Sequence, residues 1–187
     1  MRLHIPETAG RIPLKTIDTI HSIKDKKFHR EFLFQISGVY AFWWTGAKDD
    51  LLSGRREIIL KGPKGVPVNV KYEDWWPADL PYPCLYVGKS TNIWNRLGLH
   101  VKSGSRGRLH LAHDNSKKQP PKTTSCQLRH GIEHIFPNAQ EPLDIINANI
   151  GFSYKTDFSD NAVAERFFTE DLFIGQWRPW FNIDSER

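Results

Sequence analysis

The sequence predicts one α/β domain of the α+β kind, a small sheet flanked by helices. Three observations carry that expectation. β-formers run through "SGVYAFWWTG" (Ser37–Gly46) and again through "CLYVGKS" (Cys84–Ser90), the residue types that suit a pleated, half-buried surface. Apolar residues at helical spacing fill "NAVAERFFTEDLFIGQW" (Asn161–Trp177),. The 187 residues, 39% hydrophobic and 25% charged, are enough for one sizeable core and have an ordinary globular composition,.

Taken in chain order, residues 1–34 read as an arm plus a helix, because Ile17, Ile20 and Ile23 recur at spacings of three,. A strand is expected from Ile36 to Trp44, closed by Thr45 and Gly46. Residues 47–83 read as a hairpin insertion: "REIILKG" and "VPVNVKY" are strand-like around the turn signal "GPKG",. The Pro-rich loop "EDWWPADLPYP" follows, with Trp75 and Trp76 assigned to the core. Leu85–Val87 is expected as a short strand and Thr91–Val101 as a helix. "TTSCQLRHGIEHIF" can form a helix capped by Thr123 or Thr124, and "ANIGFSYKT" another strand,. The last helix is expected to open at Ser159, Asp160 or Asn161 and to stop before Pro179,.

Composition narrows the function classes. No stretch approaches the roughly 18 apolar residues of a membrane span, and Met1–Gly10 has no apolar core,. The two cysteines, Cys84 and Cys126, lack metal-type spacing,. A soluble cytoplasmic protein in a reducing compartment is the expectation. Net charge is +5, and residues 101–130 carry seven cations against the single anion Asp114, a surplus of six. Lys102, Arg106, Arg108, Lys117, Lys118, Lys122 and Arg129 are therefore candidates for phosphate contacts,; a solvated basic loop is the alternative.

The corner Gly88-Lys89-Ser90 raises the question of a nucleotide-binding loop. That loop needs G-x-x-x-x-G-K-[ST], and Pro83 stands where its first glycine belongs. The helix after the corner says more. Asn92, Arg96 and His100 form one polar line at spacings of four, beside the apolar line Ile93, Leu97 and Val101,. Each of the two strands sets a Tyr near a Gly: Gly38-Val39-Tyr40 and Tyr86-Val87-Gly88. In the last helix Glu170 shares a line with Val163, Phe167 and Ile174, where a carboxylate is costly to bury unless it is paired or metal-bound,. Singly, each residue has an ordinary reading: Tyr40 and Tyr86 as strand filler, Glu170 paired with Arg166, Asn182 as a turn cap. Glu165 is a rival carboxylate on another face.

Together these residues resemble the GIY-YIG nuclease superfamily. "GVY" and "YVG" match its two name motifs, Arg96 with His100 its Arg-plus-four pair, and "EDLFIGQWRPWFN" its Glu-to-Pro-x-x-Asn ending. The resemblance spans roughly residues 36–46 and 84–182; the long insertion between the tyrosine motifs, together with Lys89 after the second, resembles the restriction-endonuclease branch. It implies a small, mostly antiparallel central sheet flanked by helices. It also implies a Mg²⁺-dependent (or Mn²⁺-dependent) DNA endonuclease with one metal per site, held by Glu170. Arg96 would bind the scissile phosphate. Tyr40 would be the general base, and Tyr86 would orient water or phosphate. His100 would hydrogen-bond Tyr40 or the phosphate, Lys89 would add charge, and Asn182 would position Glu170 or the helix end. Double-stranded DNA is the implied partner, with a homodimer on DNA for double-strand cutting. Gln127 and Arg129 are candidate base readers. The rivals are a repair or mobile-element nickase, a non-catalytic nucleic-acid-binding module, and an interaction protein with a basic surface.

Overall fold

The computed structural model of the protein describes residues 20–23, 35–101, 107–109 and 126–183. It contains a four-stranded sheet built from β1 (His21–Ser22), β2 (Gly38–Trp44), β5 (Cys84–Ser90) and β6 (Ile150–Lys155), in the order β1-β6-β2-β5. Every pairing in it is antiparallel. A second sheet is the hairpin β3 (Glu57–Lys61) and β4 (Pro67–Lys71). Five α-helices flank them among the described residues: α1 (Lys48–Ser53), α2 (Ile93–Val101), α3 (Gln127–Ile135), α4 (Pro142–Asn149) and α5 (Val163–Trp177). The mixed α+β fold is as the sequence predicts.

Strand alternation decides which helix covers which face. β2 is buried along its whole length, as the inner strand of a sheet covered on both sides must be. Tyr40 lies opposite Gly88 and Tyr154, and Phe42 opposite Tyr86 and Phe152. Residues directly opposite share a face, so these form one aromatic layer, and α2 packs on it through His100. Trp43 belongs to the other face, where it meets Trp177 of α5 with ring centroids 4.8 Å apart. Gly38 shares the Tyr40 face, and it has no room for more than hydrogen: a Cβ there would lie 2.3 Å from Lys155 O.

The insertion is tied to the core. Tyr72 and Trp76 belong to the same buried cluster as the sheet. Trp180, in a 3-10 turn at Trp180–Asn182, stacks on Tyr72 (5.2 Å) and on Trp76 (4.4 Å), and its indole N–H donates to Glu73 O. The turn between β3 and β4 places Lys64 and Gly65 at φ 56° and 79°, the left-handed region that the "GPKG" glycine favours.

Several expectations change. The helical stripe Ile17, Ile20, Ile23 does not hold where it is described: His21–Ser22 is a strand paired with β6, and the Ile20 side chain fills the space over Gly151. Docking against a sheet edge outweighs a three-residue spacing in a short segment. The strand expected over Leu85–Val87 runs the full Cys84–Ser90, because antiparallel pairing with β2 continues through Lys89 and Ser90. α5 is preceded by Ala162, with no side-chain cap, and none of Ser159, Asp160 or Asn161 caps it. Arg166 instead turns back to donate to the carbonyls of Ser159 and Asp160. Pro179 does end the helix, through Arg178 at φ 49°. The line Val163–Phe167–Ile174 is not the buried one: Val163 is 54% and Phe167 50% exposed, and Arg166, Phe173 and Trp177 face inward. Helices α1 and α4 have no counterpart among the predicted elements. Thr123 and Thr124 lie outside the described residues. No helix among the described residues is long and apolar enough to cross a membrane.

Candidate active site

The site forms where α2 crosses the β2–β5 pair. Asn92 opens α2, its side-chain oxygen accepting the Asn95 N–H at 2.9 Å. Ser90 fixes the turn before it by accepting from Asn92 N, also at 2.9 Å. This entry sets the rotation of α2. Ile93, Leu97 and Val101 then go into the core, and His100 goes over the aromatic layer. The Tyr40 hydroxyl lies 2.8 Å from His100 Nε2 in a buried contact. The Tyr86 ring sits 4.7 Å from the His100 ring and 6.1 Å from Tyr40. Gly88 makes this possible, since a Cβ at that position would lie 2.7 Å from the Tyr40 hydroxyl.

Burial sets the protonation of this cluster. Desolvation holds Tyr40 well above the ordinary phenol value; Tyr86 and the Glu170 charge push the same way, and the Arg96 charge opposes them. Tyr86 is raised to about 12, first by burial and then by Glu170, again opposed by Arg96. His100 is lowered to about 3 by burial and by Arg96. All three are therefore neutral at pH 7. His100 Nδ1 is buried without a partner among the described residues. The contact is made either by the Tyr40 hydroxyl donating to Nε2 or by Nε2–H donating to the hydroxyl oxygen, according to the imidazole tautomer,.

Glu170 and Lys89 approach from the other side. Lys89 lies opposite Val39, hence on the α5 face of the edge strand β5. Its ammonium pairs with Glu170 Oε2 and stands 3.6 Å from the centre of the Phe167 ring. The Lys89 and Glu170 side chains are 26% and 14% exposed. The predicted set is thus split by β5, with Tyr40, Tyr86, Arg96 and His100 on one face and Lys89 and Glu170 on the other. It remains one electrostatic unit, because Glu170 and Arg96 both act on both phenols. The Arg96 side chain has no hydrogen bond or ion pair among the described residues, which leaves its fork available.

The Asn182 amide has no hydrogen bond to Glu170 among the described residues. It clamps β5 at one residue, the oxygen accepting from Val87 N and the nitrogen donating to Val87 O, each at 2.8 Å. Val87 lies between Tyr86 and Gly88, so Asn182 holds the strand that carries the second motif.

The base-reading expectation for Arg129 is overturned. Its side chain is fully buried and paired with Glu133 at 2.7 Å, one helical turn on. It also donates to Val101 O and Gly107 O. Arg108 is likewise committed, to the carbonyls of Glu133, Phe136 and Ala139. A guanidinium that has spent its donors on backbone carbonyls inside the protein is not offered to a base edge. The opposite charges at i and i+4 in α3 were the signal in the sequence for this role. Gln127 is half-buried at the start of α3. Lys102, Arg106, Lys117, Lys118 and Lys122 lie outside the described residues. Phe167, against which Lys89 rests, was read from the sequence as part of an apolar line and not as a site residue, since nothing local connects it to residue 89.

Comparison with protein-family models, curated proteins and solved structures finds no match for the chain.

Proposed function

We propose that the protein is a Mg²⁺-dependent DNA endonuclease of the GIY-YIG kind, with restriction-like sequence-specific cleavage. The observation that carries this reading is the buried Tyr40–His100 contact, with Tyr86, Arg96 and Glu170 all within electrostatic reach. Filler tyrosines do not need a histidine aligned on a hydroxyl, nor a glycine removed from the way of that hydroxyl.

The residues fit a particular kind of metal site. Among the described residues no group of three His, Cys, Asp or Glu can hold an ion. Glu170 is a lone, mostly buried carboxylate that already carries a cation, the Lys89 ammonium, against one oxygen. That suits Mg²⁺, which keeps most of its waters and takes one or two carboxylates plus phosphate oxygens. The metal, when bound, supplies Lewis-acid stabilisation of the phosphate.

The rest of the chemistry belongs to the chain. Arg96 binds the scissile phosphate with its free fork and meets the charge that develops on it. Tyr40, as the phenolate left once its own proton has passed to solvent, takes the proton of the attacking water. Burial, Tyr86 and the Glu170 charge work against that phenolate, and the Arg96 charge works for it. Neutralising Glu170 removes one of the charges that hold both phenols up. Lys89 adds positive charge beside the phosphate, and Asn182 keeps β5 in register. Lys102, Arg106, Lys117, Lys118 and Lys122 supply affinity without sequence information. One such site cuts one strand, so double-strand cleavage calls for two copies on the duplex. The cell compartment that fits is the cytoplasm.

The test is incubation of unmethylated plasmid and phage DNA with Mg²⁺ and the wild type or Glu170→Ala. Discrete fragments from the wild type, absent with Glu170→Ala and without metal, are expected. No metal-dependent cleavage of any of these DNAs, methylated ones included, would overturn the reading.

A further inference from the structure

We infer that Lys89 is a built-in competitor for the cation at Glu170, and that the Phe167 ring is the second berth its ammonium uses when displaced. This rests on the reading of Glu170 as the metal ligand and adds a condition on when metal binds. In the described state the Glu170 carboxylate is already neutralised by Lys89. A divalent cation arriving there meets an ammonium rather than a bare anion. Both side chains are largely out of water, so the repulsion is only partly screened.

Phe167 explains how the ammonium can leave without being stranded. Phe167 and Glu170 are three residues apart on α5, hence neighbours on one helix surface. The ring already stands 3.6 Å beneath Lys89 Nζ, a cation–π contact that persists when the carboxylate is taken. It also gives a use to an apolar side chain that is 50% exposed beside a charged pair. The movement needed is a change of partner by one ammonium, with β5 staying in place. Metal loading is therefore weak in the free protein.

The test is Mn²⁺ binding to the free protein, read from the EPR signal of unbound Mn²⁺, for the wild type, Lys89→Met, Lys89→Arg, Phe167→Ala and Glu170→Gln. Removing an ion pair of this partial exposure is worth up to about tenfold in affinity. Lys89→Met, which keeps the apolar stem, is expected to bind Mn²⁺ up to about tenfold tighter than the wild type. Lys89→Arg keeps the charge and stays weak. Phe167→Ala binds more weakly than the wild type, because the ammonium loses its other berth; a loosened helix alone would not weaken Phe167→Ala while Lys89→Met gains. Near-UV circular dichroism of the Trp-rich core checks that each variant is folded. Mn²⁺ affinity unchanged or reduced in Lys89→Met, with Glu170→Gln losing the metal, would overturn the competition and leave the metal reading standing. Equal affinity in Glu170→Gln and the wild type would overturn both.

Discussion

Two polar clusters are buried against the same helix, α2, and they are built on opposite principles. At Arg129 and Glu133 the guanidinium is consumed. It pairs with Glu133 and donates to the carbonyls of Val101 and Gly107; Glu133 Oε1 also accepts the Leu109 N–H, and its Oε2 is buried without a hydrogen-bond partner among the described residues. Such a hub ties the end of α2 and residues 107–109 to α3, and it presents nothing to a ligand. At Tyr40, Tyr86 and His100 the groups satisfy one another only in part, and all three are displaced from their ordinary pKa values. A free Arg96 fork stands beside them. Burial alone therefore does not mark a site. What separates the two clusters is whether the hydrogen-bonding capacity is spent on the backbone or kept aligned and perturbed, the condition associated with chemistry.

The contrast can be broken most forcefully at the hub. Arg129→Met leaves the Glu133 charge buried without its partner and is expected to cost about 3–5 kcal/mol, read from urea unfolding; a loss below about 1 kcal/mol would place Arg129 with ordinary surface charges. The site answers to pH instead. His100 is neutral in the folded protein, with its value lowered to about 3, and gains a proton at an ordinary value near 6.5 when unfolded. Its contribution is fully present above pH 6.5 and is lost as pH falls towards 3, on the order of 5 kcal/mol at most. The difference in unfolding free energy between wild type and His100→Gln should shrink on acidification over that window. A difference that does not change with pH would contradict the buried neutral imidazole.

Arg96→Met separates stability from activity. It is expected to lower kcat by about 10²–10³-fold and to change unfolding free energy by no more than about 0.5 kcal/mol, the reverse of Arg129→Met. The smallest of these effects falls on the glycine between the tyrosines. Gly88→Ala puts a methyl 2.7 Å from the Tyr40 hydroxyl and should cost about 1–3 kcal/mol by overpacking, while weakening the Tyr40–His100 contact enough to lower cleavage. Wild-type stability and cleavage in Gly88→Ala would show that the hydroxyl has room the geometry denies it.

Much of this was legible in the sequence, for reasons that differ by element. The β2 and β5 strands and α5 were readable because their patterns are long and local. Arg96 and His100 were readable because a spacing of four means one side of a helix whatever else the fold does. The partners of those residues were less accessible. That His100 chooses Tyr40, sixty residues away, depends on how α2 is rotated by the Ser90–Asn92 turn. Asn182 was readable as a fixed-offset motif residue, but its clamp on Val87 depends on where the aromatic stack of Tyr72, Trp76 and Trp180 docks the chain end. The misassignment of Arg129 came from counting charges along the chain; the fold turned its side of α3 inward. The same distinction separates Phe167 and Val163, read as core by their spacing, from the inward-facing Arg166.

The most direct test of the account is Tyr40→Phe, which removes one hydroxyl and keeps the ring in the aromatic layer. Its binding to duplex DNA and its single-turnover cleavage with Mg²⁺ would be measured together. The account predicts DNA binding close to wild type, a stability loss of about 1–3 kcal/mol from the unpaired His100, and cleavage lower by about 10²–10⁴-fold. Cleavage within a few-fold of wild type would contradict it, and Tyr40 and His100 would then be core packing like the hub beside them.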